Sequence, residues 1–316
     1  MKSKTESLNM YLHRHVDGLK ICSPDEAKRN PGNGCRRGDP GLRCTSSGLL
    51  VLTIVVRLSL LSFTPLISAE TVLITGANSG IGLEFTKQYA AKGWTVIATH
   101  RRAGAPESLT AVSAEFKNVI IERMDVTSAD DVQALADELK ATPIDLLINN
   151  AGVYNDRSAC REEDCPGDWS NQDFGKLHYP LLETIMTVNL KGPLQVSEAF
   201  TEHVAASQRK LIVSISSTNG SLTEPLPGAG AIFYRASKAA LNKAMQLVAV
   251  KLKDRGIGVI LLHPGAVVTE RQSYLAGAEG MIEMPFSVTH MIETIDQLTT
   301  QDSGHFINYD GTALPW

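Results

Sequence analysis

The stretch that most constrains the fold is Thr71 to Gly82, Thr-Val-Leu-Ile-Thr-Gly-Ala-Asn-Ser-Gly-Ile-Gly. Residues 71–74 are β-branched or aliphatic and read as a short buried strand. A turn follows with glycines at 76, 80 and 82, and beyond it Ile81, Phe85, Tyr89 and Trp94 recur among polar residues at roughly helical spacing. Strand, glycine turn and helix together present unbonded backbone N–H groups and a helix N-terminus, which suits a phosphate. Gly76 permits a tight turn, Gly80 lets the backbone approach a pyrophosphate, and Gly82 lets the helix pack close to the sheet. Alone the turn is a weak signal, because a glycine-rich turn with no ligand has the same composition.

The rest of the chain strengthens it. Residues 95–99, 119–121, 144–148, 211–215 and 259–262 read as further strands, with 305–308 as a short seventh. Helical stretches such as 130–140, 181–207 and 237–252 lie between them. Strands this apolar, separated by helices, form a parallel sheet covered on both faces. Right-handed crossovers then give a single doubly wound α/β domain with its ligand at the carboxyl ends of the strands. The domain is expected over 70–316, preceded by a leader that is not part of it.

Within that leader, residues 1–47 are polar and rich in turn formers, with a net charge of +4 that leaves −8 for the remainder of a chain of net −4. Disorder is the expectation there. Residues 48–69 are apolar except for Arg57, long enough to span a bilayer but interrupted by that charge and by Pro65. A membrane anchor, a cleaved signal and a dispensable leader all remain open, so the expected location is cytoplasmic or, alternatively, membrane-anchored through 48–69. The near-neutral balance gives no reason to expect nucleic acid as a partner. The five cysteines (22, 35, 44, 160 and 165) suit neither a disulfide framework nor a zinc site, and no metal is expected.

Two clusters carry chemistry. The second strand ends Ala98-Thr99-His100-Arg101-Arg102, with no acid to take ribose hydroxyls. Arg101 can pair with a 2′-phosphate, so NADP(H) is preferred and NAD(H) is the alternative. Asp125 follows the third strand and is placed to reach an adenine ring. Ser217 follows the fifth strand, and Tyr234 and Lys238 share a helix face at i, i+4 in Tyr-Arg-Ala-Ser-Lys. A nearby ammonium is expected to favour the phenolate and lower the tyrosine pKa.

At this point the chain resembles the short-chain dehydrogenase/reductase family over nearly all of 71–316. The matches occur in family order: Thr75-Gly76-x-x-x-Gly80-x-Gly82, Asn149-Asn150-Ala151-Gly152, Asn189, Ser217, Tyr234/Lys238, and Pro264-Gly265 with Thr269. The wording of 234–242, His263-Pro264-Gly265 and the ending Tyr309-Asp310-Gly311-x-x-Leu-Pro-Trp is similar to the C-factor and sniffer-type carbonyl reductase branch. The resemblance implies a Rossmann-type domain and hydride transfer between NADP(H) and a carbonyl or alcohol. Tyr234 would be the acid or base, Lys238 would hold the ribose, Ser217 would bond the substrate oxygen, and Asn189 would fix a water linking Lys238 to solvent. Ser79, Ile81, Val126, Asn150, Ala151 and Gly152 would belong to the cofactor site, with Pro264, Gly265, Val267 and Thr269 bordering the nicotinamide and phosphates.

Three departures stand out. Ser79 occupies a position where many NADP-preferring relatives carry a second basic residue. Residues 154–180 form a long segment that suggests a flap near the site. The loop 218–233, which includes Pro225 and Pro227, is longer than usual and stands to reshape the pocket or to place Ser217 less well. On the substrate side, 270–286 would form a lid whose Tyr274, Leu275, Met281, Ile282, Met284 and Phe286 either wall an apolar pocket or pack the lid itself. No arginine or lysine is clearly placed to bind an acidic substrate, though Arg271 at the start of the lid could be, so a neutral aldehyde, ketone or quinone is favoured. The other function left open is a dinucleotide-binding regulatory or signalling protein with incidental turnover. A homodimer or homotetramer is also left open.

Overall fold

A computed structural model describes residues 69–155, 170–224, 228–269 and 276–316. The leader, the five cysteines, Pro225, Pro227, Arg271, Tyr274 and Leu275 lie outside the described residues.

Nine strands and eight α-helices are described. The strands are β1 (Thr71–Ile74), β2 (Thr95–His100), β3 (Val119–Arg123), β4 (Leu146–Asn149), β5 (Leu211–Ile215), β6 (Gly258–His263), β7 (Val267–Val268), β8 (Ile282–Glu283) and β9 (Phe306–Asn308). The helices are α1 (Gly80–Ala91), α2 (Glu107–Glu115), α3 (Ala129–Glu138), α4 (Tyr179–Met186), α5 (Gly192–Ala199), α6 (Thr201–Ala205), α7 (Ile232–Leu252) and α8 (Met284–Gln297). Seven strands form one sheet in the order β3-β2-β1-β4-β5-β6-β9, every neighbouring pair parallel. The chain reverses its direction of winding between β1 and β4, and a ligand crevice opens at such a switch point.

The period-2 alternation of each strand divides the core in two. Val72, Ile74, Val96, Leu146, Ile148, Val213 and Leu262 face one way and pack with Phe85, Tyr89, Leu109, Met291 and Ile295 from α1, α2 and α8. Leu73, Ile97, Leu147, Ile212, Val259 and Leu261 face the other way, against Val132, Leu135, Val196, Leu241 and Met245 from α3, α5 and α7. Because both faces are covered, the strands read as continuous apolar runs.

Two expected helices differ in detail. The stretch 181–207 is not continuous: α4 passes into a π turn at Thr187–Lys191, where the Gly192 N–H bonds Thr187 O five residues back, before α5 and α6. Pro193 has no N–H for the carbonyl of Asn189 four residues earlier, so the α-helical ladder cannot run through this point. Helix α7 begins at Ile232, five residues before the expected start, and so carries Tyr234 in its first turn.

Candidate active site

The carboxyl end of the sheet is stitched from two loops. The Thr75 hydroxyl accepts the N–H groups of Asn150 (2.9 Å) and Ala151 (3.0 Å). In return the Asn150 side-chain amide donates to the carbonyls of Thr75 (2.9 Å) and Gly76 (3.2 Å). Gly76 adopts φ +65°, the left-handed turn expected of it. Gly82 is held tighter: a Cβ there would stand 2.4 Å from Asn150 Nδ2 and 2.5 Å from Gly76 O. Helix α1 therefore starts flush against the turn. Its N-cap, Ser79, makes no side-chain capping bond, so the first-turn donors are not consumed by the hydroxyl.

A cleft of about 840 Å³ opens over these loops. Gly76, Ser79, Gly80, Ile81, Arg101, Asp125, Val126, Asn150, Ala151, Gly152 and Thr269 line it, as expected for a cofactor site. Arg102 joins Arg101 on the wall, supplying a second guanidinium where Ser79 supplies none. Neither arginine has an ion-pair partner among the described residues. Asp125 spends one carboxylate oxygen on the Thr127 N–H (2.9 Å) and hydroxyl (2.8 Å). Thr269 Oγ1 is buried with no partner among the described residues. Bare helix donors, two free guanidiniums and an orphaned hydroxyl on one wall fit a dinucleotide with an extra phosphate.

Pro264, Gly265 and Val267, expected at the cofactor, are not among the residues that line the cleft. Pro264 O accepts the Ser287 hydroxyl (2.6 Å), Gly265 backs onto the Ile282 side chain, and β7 pairs with β8 in parallel. None of the expected lid residues that are described lines the cleft. Met284 packs against the buried cluster that includes α1 and α8, whereas Phe286 is half exposed, its ring 4.0 Å from that of His290 on the same helix.

Ser217, Tyr234, Lys238 and Asn189 are brought together at the same end. The Ser217 side chain stands beside the Tyr234 hydroxyl, close enough to oppose the rise of its pKa, and Lys238 Nζ lies 5.8 Å from the Tyr234 ring centroid. The Lys238 ammonium is buried and donates to Ile215 O (2.9 Å), at the end of the strand that leads to Ser217. Helix α7 and the loop after Ser217 touch so closely that a Cβ at Gly220 would come within 2.6 Å of the Lys238 carbonyl carbon. Asn189, in the π turn, clamps Val153 at both backbone groups (2.9 and 2.7 Å) and donates to the Ser237 hydroxyl (3.0 Å). Its carbonyl is the one that Pro193 releases from the helix ladder.

The electrostatics differ from expectation. Burial pushes the Tyr234 phenol above its ordinary value, with Ser217 opposing and Tyr154 adding to the rise. The same burial brings the Lys238 ammonium down to about 8. Burial is the largest cause at both groups, and no lowering of the phenol by the ammonium accompanies it. The phenol thus stays protonated across the neutral range, the form that donates a proton. His263, beside this cluster, falls to about 4 through burial and the Lys238 charge, and is neutral.

Two residues escaped the sequence. Tyr154 sets its ring edge-on to that of Tyr234, at 6.4 Å and 79°. Gln172, fully buried in a short turn (Ser170–Gln172), accepts the Tyr234 N–H (2.9 Å).

The short-chain dehydrogenase family model matches residues 70–279, and the chain belongs to that family. Among its relatives is the C-signal of Myxococcus xanthus, 34% identical over 185 residues, covering 58% of this chain and all of the relative. Its fold is shared by an NADPH-bound carbonyl reductase from chicken fatty liver, at TM-score 0.69 and 28% identity over 79% of this chain and 100% of that one. It is shared too by the carbonyl reductase Sniffer of D. melanogaster, at TM-score 0.64 and 26% identity with the same coverage. The branch expected from the motifs is borne out.

Proposed function

We propose that this chain is an NADP(H)-dependent oxidoreductase acting on a small carbonyl or alcohol, with Tyr234 as its acid and base. The observation that carries the reading is the Tyr234–Lys238 pair on one face of α7, set against Tyr154 and Gly152 on the wall of a cleft whose two arginines have no ion-pair partner among the described residues. The cofactor would lie from the glycine turn and Arg101 to Thr269 and supplies the hydride when bound. Ser217 holds the substrate oxygen where negative charge develops. Tyr234 delivers its proton to that oxygen. Lys238 holds the phenol's surroundings positive and reaches the ribose hydroxyls. Asn189 keeps the Gly152–Val153 loop registered against α7, and its released carbonyl is available to a water on the path from Lys238 to solvent.

We read residues 70–316 as the working unit, a cytoplasmic one, and a chain beginning at Glu70 is expected to turn over like the full chain. The test is NADPH oxidation over a panel of aldehydes, ketones and quinones, by the parent and by Tyr234→Phe. Carbonyl-dependent consumption that falls about 10²–10⁴-fold in the variant, with NADPH binding kept, is the expected result. A regulatory binder would instead take up NADPH without consuming it.

A further inference from the structure

The long segment 154–180 has no assigned part in the reaction, yet it reaches the most sensitive point of the site. The first turn of any helix leaves backbone N–H groups without intrahelical partners, usually met by a Ser, Thr, Asp or Asn at the N-cap. Helix α7 has none. Its N-cap is Ala231, held at φ 59° and ψ 38°, with no side chain able to cap. Of the N–H groups left over in that turn, that of Tyr234 is the one Gln172 Oε1 accepts, at 2.9 Å from 62 residues away. Through Nε2 the same amide donates to Tyr154 O at 2.7 Å. One side chain thus fixes the backbone of Tyr234 and the backbone of the residue whose ring flanks it.

The surroundings hold this amide firmly. Gln172 has no exposed surface, so water cannot take over its bonds without opening the site. The turn that carries it is closed behind by the His178 N–H on Asn171 O at 2.9 Å, directly before α4. Its neighbour Asp173 abuts Gly230, where an added Cβ would lie 3.2 Å from Asp173 Oδ1, one residue before the Ala231 cap. The segment therefore touches the entrance to α7 at two adjacent points.

We propose that Gln172 is a positioning residue, a cap supplied from outside the helix that sets where Tyr234 presents its hydroxyl. The proposal rests on Tyr234 as the proton donor. Misplacing a donor by a fraction of an ångström lowers the chemical step and leaves binding alone. The effect of Gln172 should accordingly appear in kcat and not in NADPH affinity.

Two variants separate the roles of the amide. Gln172→Met keeps the volume and removes both bonds; Gln172→Glu keeps the acceptor facing a helix N-terminus, where negative charge is favoured, and removes the donor. In Gln172→Met, kcat is expected to fall about tenfold or more, with NADPH Kd within about twofold of the parent and faster hydrogen exchange at the Tyr234 amide. In Gln172→Glu, kcat and amide protection should recover to within about threefold, and the basic limb of the kcat–pH profile should move up, since a nearby negative charge holds the phenol proton. An unchanged kcat in Gln172→Met overturns the proposal. Loss of NADPH binding in both variants also overturns it, by making Gln172 a part of the general scaffold. Tyr234→Phe, assayed alongside, separates this failure from another: if that variant still turns over, the reading of Tyr234 itself is wrong.

Discussion

The two ends of the parallel sheet treat charge in opposite ways. At the amino end, Arg209 lies 3.6 Å from Asp296 and 3.7 Å from Glu70, stacks over Trp94 at 5.6 Å, and donates to Ile295 O. Asp145, just before β4, accepts the backbone N–H groups of Thr71, Gln208 and Arg209. At the carboxyl end, Arg101, Arg102 and Lys238 have no carboxylate partner among the described residues. The amino end ties Arg209 to its own carboxylates and pins strand starts; at the carboxyl end Arg123 pairs with Asp131 (2.9 Å), but Arg101, Arg102 and Lys238 stay without a carboxylate among the described residues. The same amino acid type is thus tied into the fold below and, at 101 and 102, left facing a cleft above.

Substitutions should divide along that line. The largest effect is expected for Gly82→Ala, which strikes both properties. The added methyl would meet a backbone carbonyl and an amide pinned by two bonds, so α1 must shift at a cost of roughly 3 kcal/mol. Urea unfolding and NADPH titration should both show it, and a variant normal in both would mean that α1 tolerates displacement. Next comes Arg101→Asp, expected to weaken NADPH ten- to a hundredfold on the order of 1–3 kcal/mol while leaving NADH binding and the unfolding midpoint close to the parent. Equal losses for both cofactors would remove Arg101 from the phosphate site. Arg209→Ala should do the reverse. Its guanidinium is 16% exposed but its partners are 47% and 35% exposed, so the loss is roughly 1–2 kcal/mol of stability with NADPH affinity unchanged.

The smallest effect concerns pH. Lys238 titrates near 8 when folded and, unpaired in the unfolded chain, near its ordinary value of 10.5. Between those values the unfolded chain binds more protons, so this group's contribution rises with pH and is lost as pH falls through about 8. The raised Tyr234 works in the other direction, but only above its ordinary value of 10. Comparing the parent with Lys238→Met between pH 8 and 10 should show a slope in the parent alone, on the order of 1 kcal/mol. Parallel curves would show that the ammonium is better solvated than its burial implies.

The sequence made the sheet readable because buried strands are nearly pure apolar runs. β1 and β5 agree with their expected bounds, β2, β3 and β6 run on by a residue or two to polar ends such as His100 and Arg123, and β4 and β9 begin two and one residues later than expected. The cleft wall was equally readable, since its glycines and arginines come from one local turn each. What stayed hidden depends on contacts far apart in the chain. Periodicity does not record a break such as the π turn before Pro193, and no local pattern marks Gln172, a polar residue in an irregular segment. Ala231, a helix start without a capping side chain, is the one trace it leaves. The tyrosine pKa was misread for a related reason: spacing reveals a neighbouring charge, whereas the degree of burial emerges only from packing.

Gly220 carries a consequence for specificity. With no side chain there, the Ser217 loop rests directly on α7, and the separation of hydroxyl from phenol is gauged by bare backbone against bare backbone. Such a gauge is set once, at folding, and gives nothing away to the shape of an incoming molecule. If Ser217 and Tyr234 grip the substrate oxygen as proposed, selectivity comes from how a substrate's remote parts sit around that fixed pair, and poor substrates should lose occupancy long before they lose the chemical step.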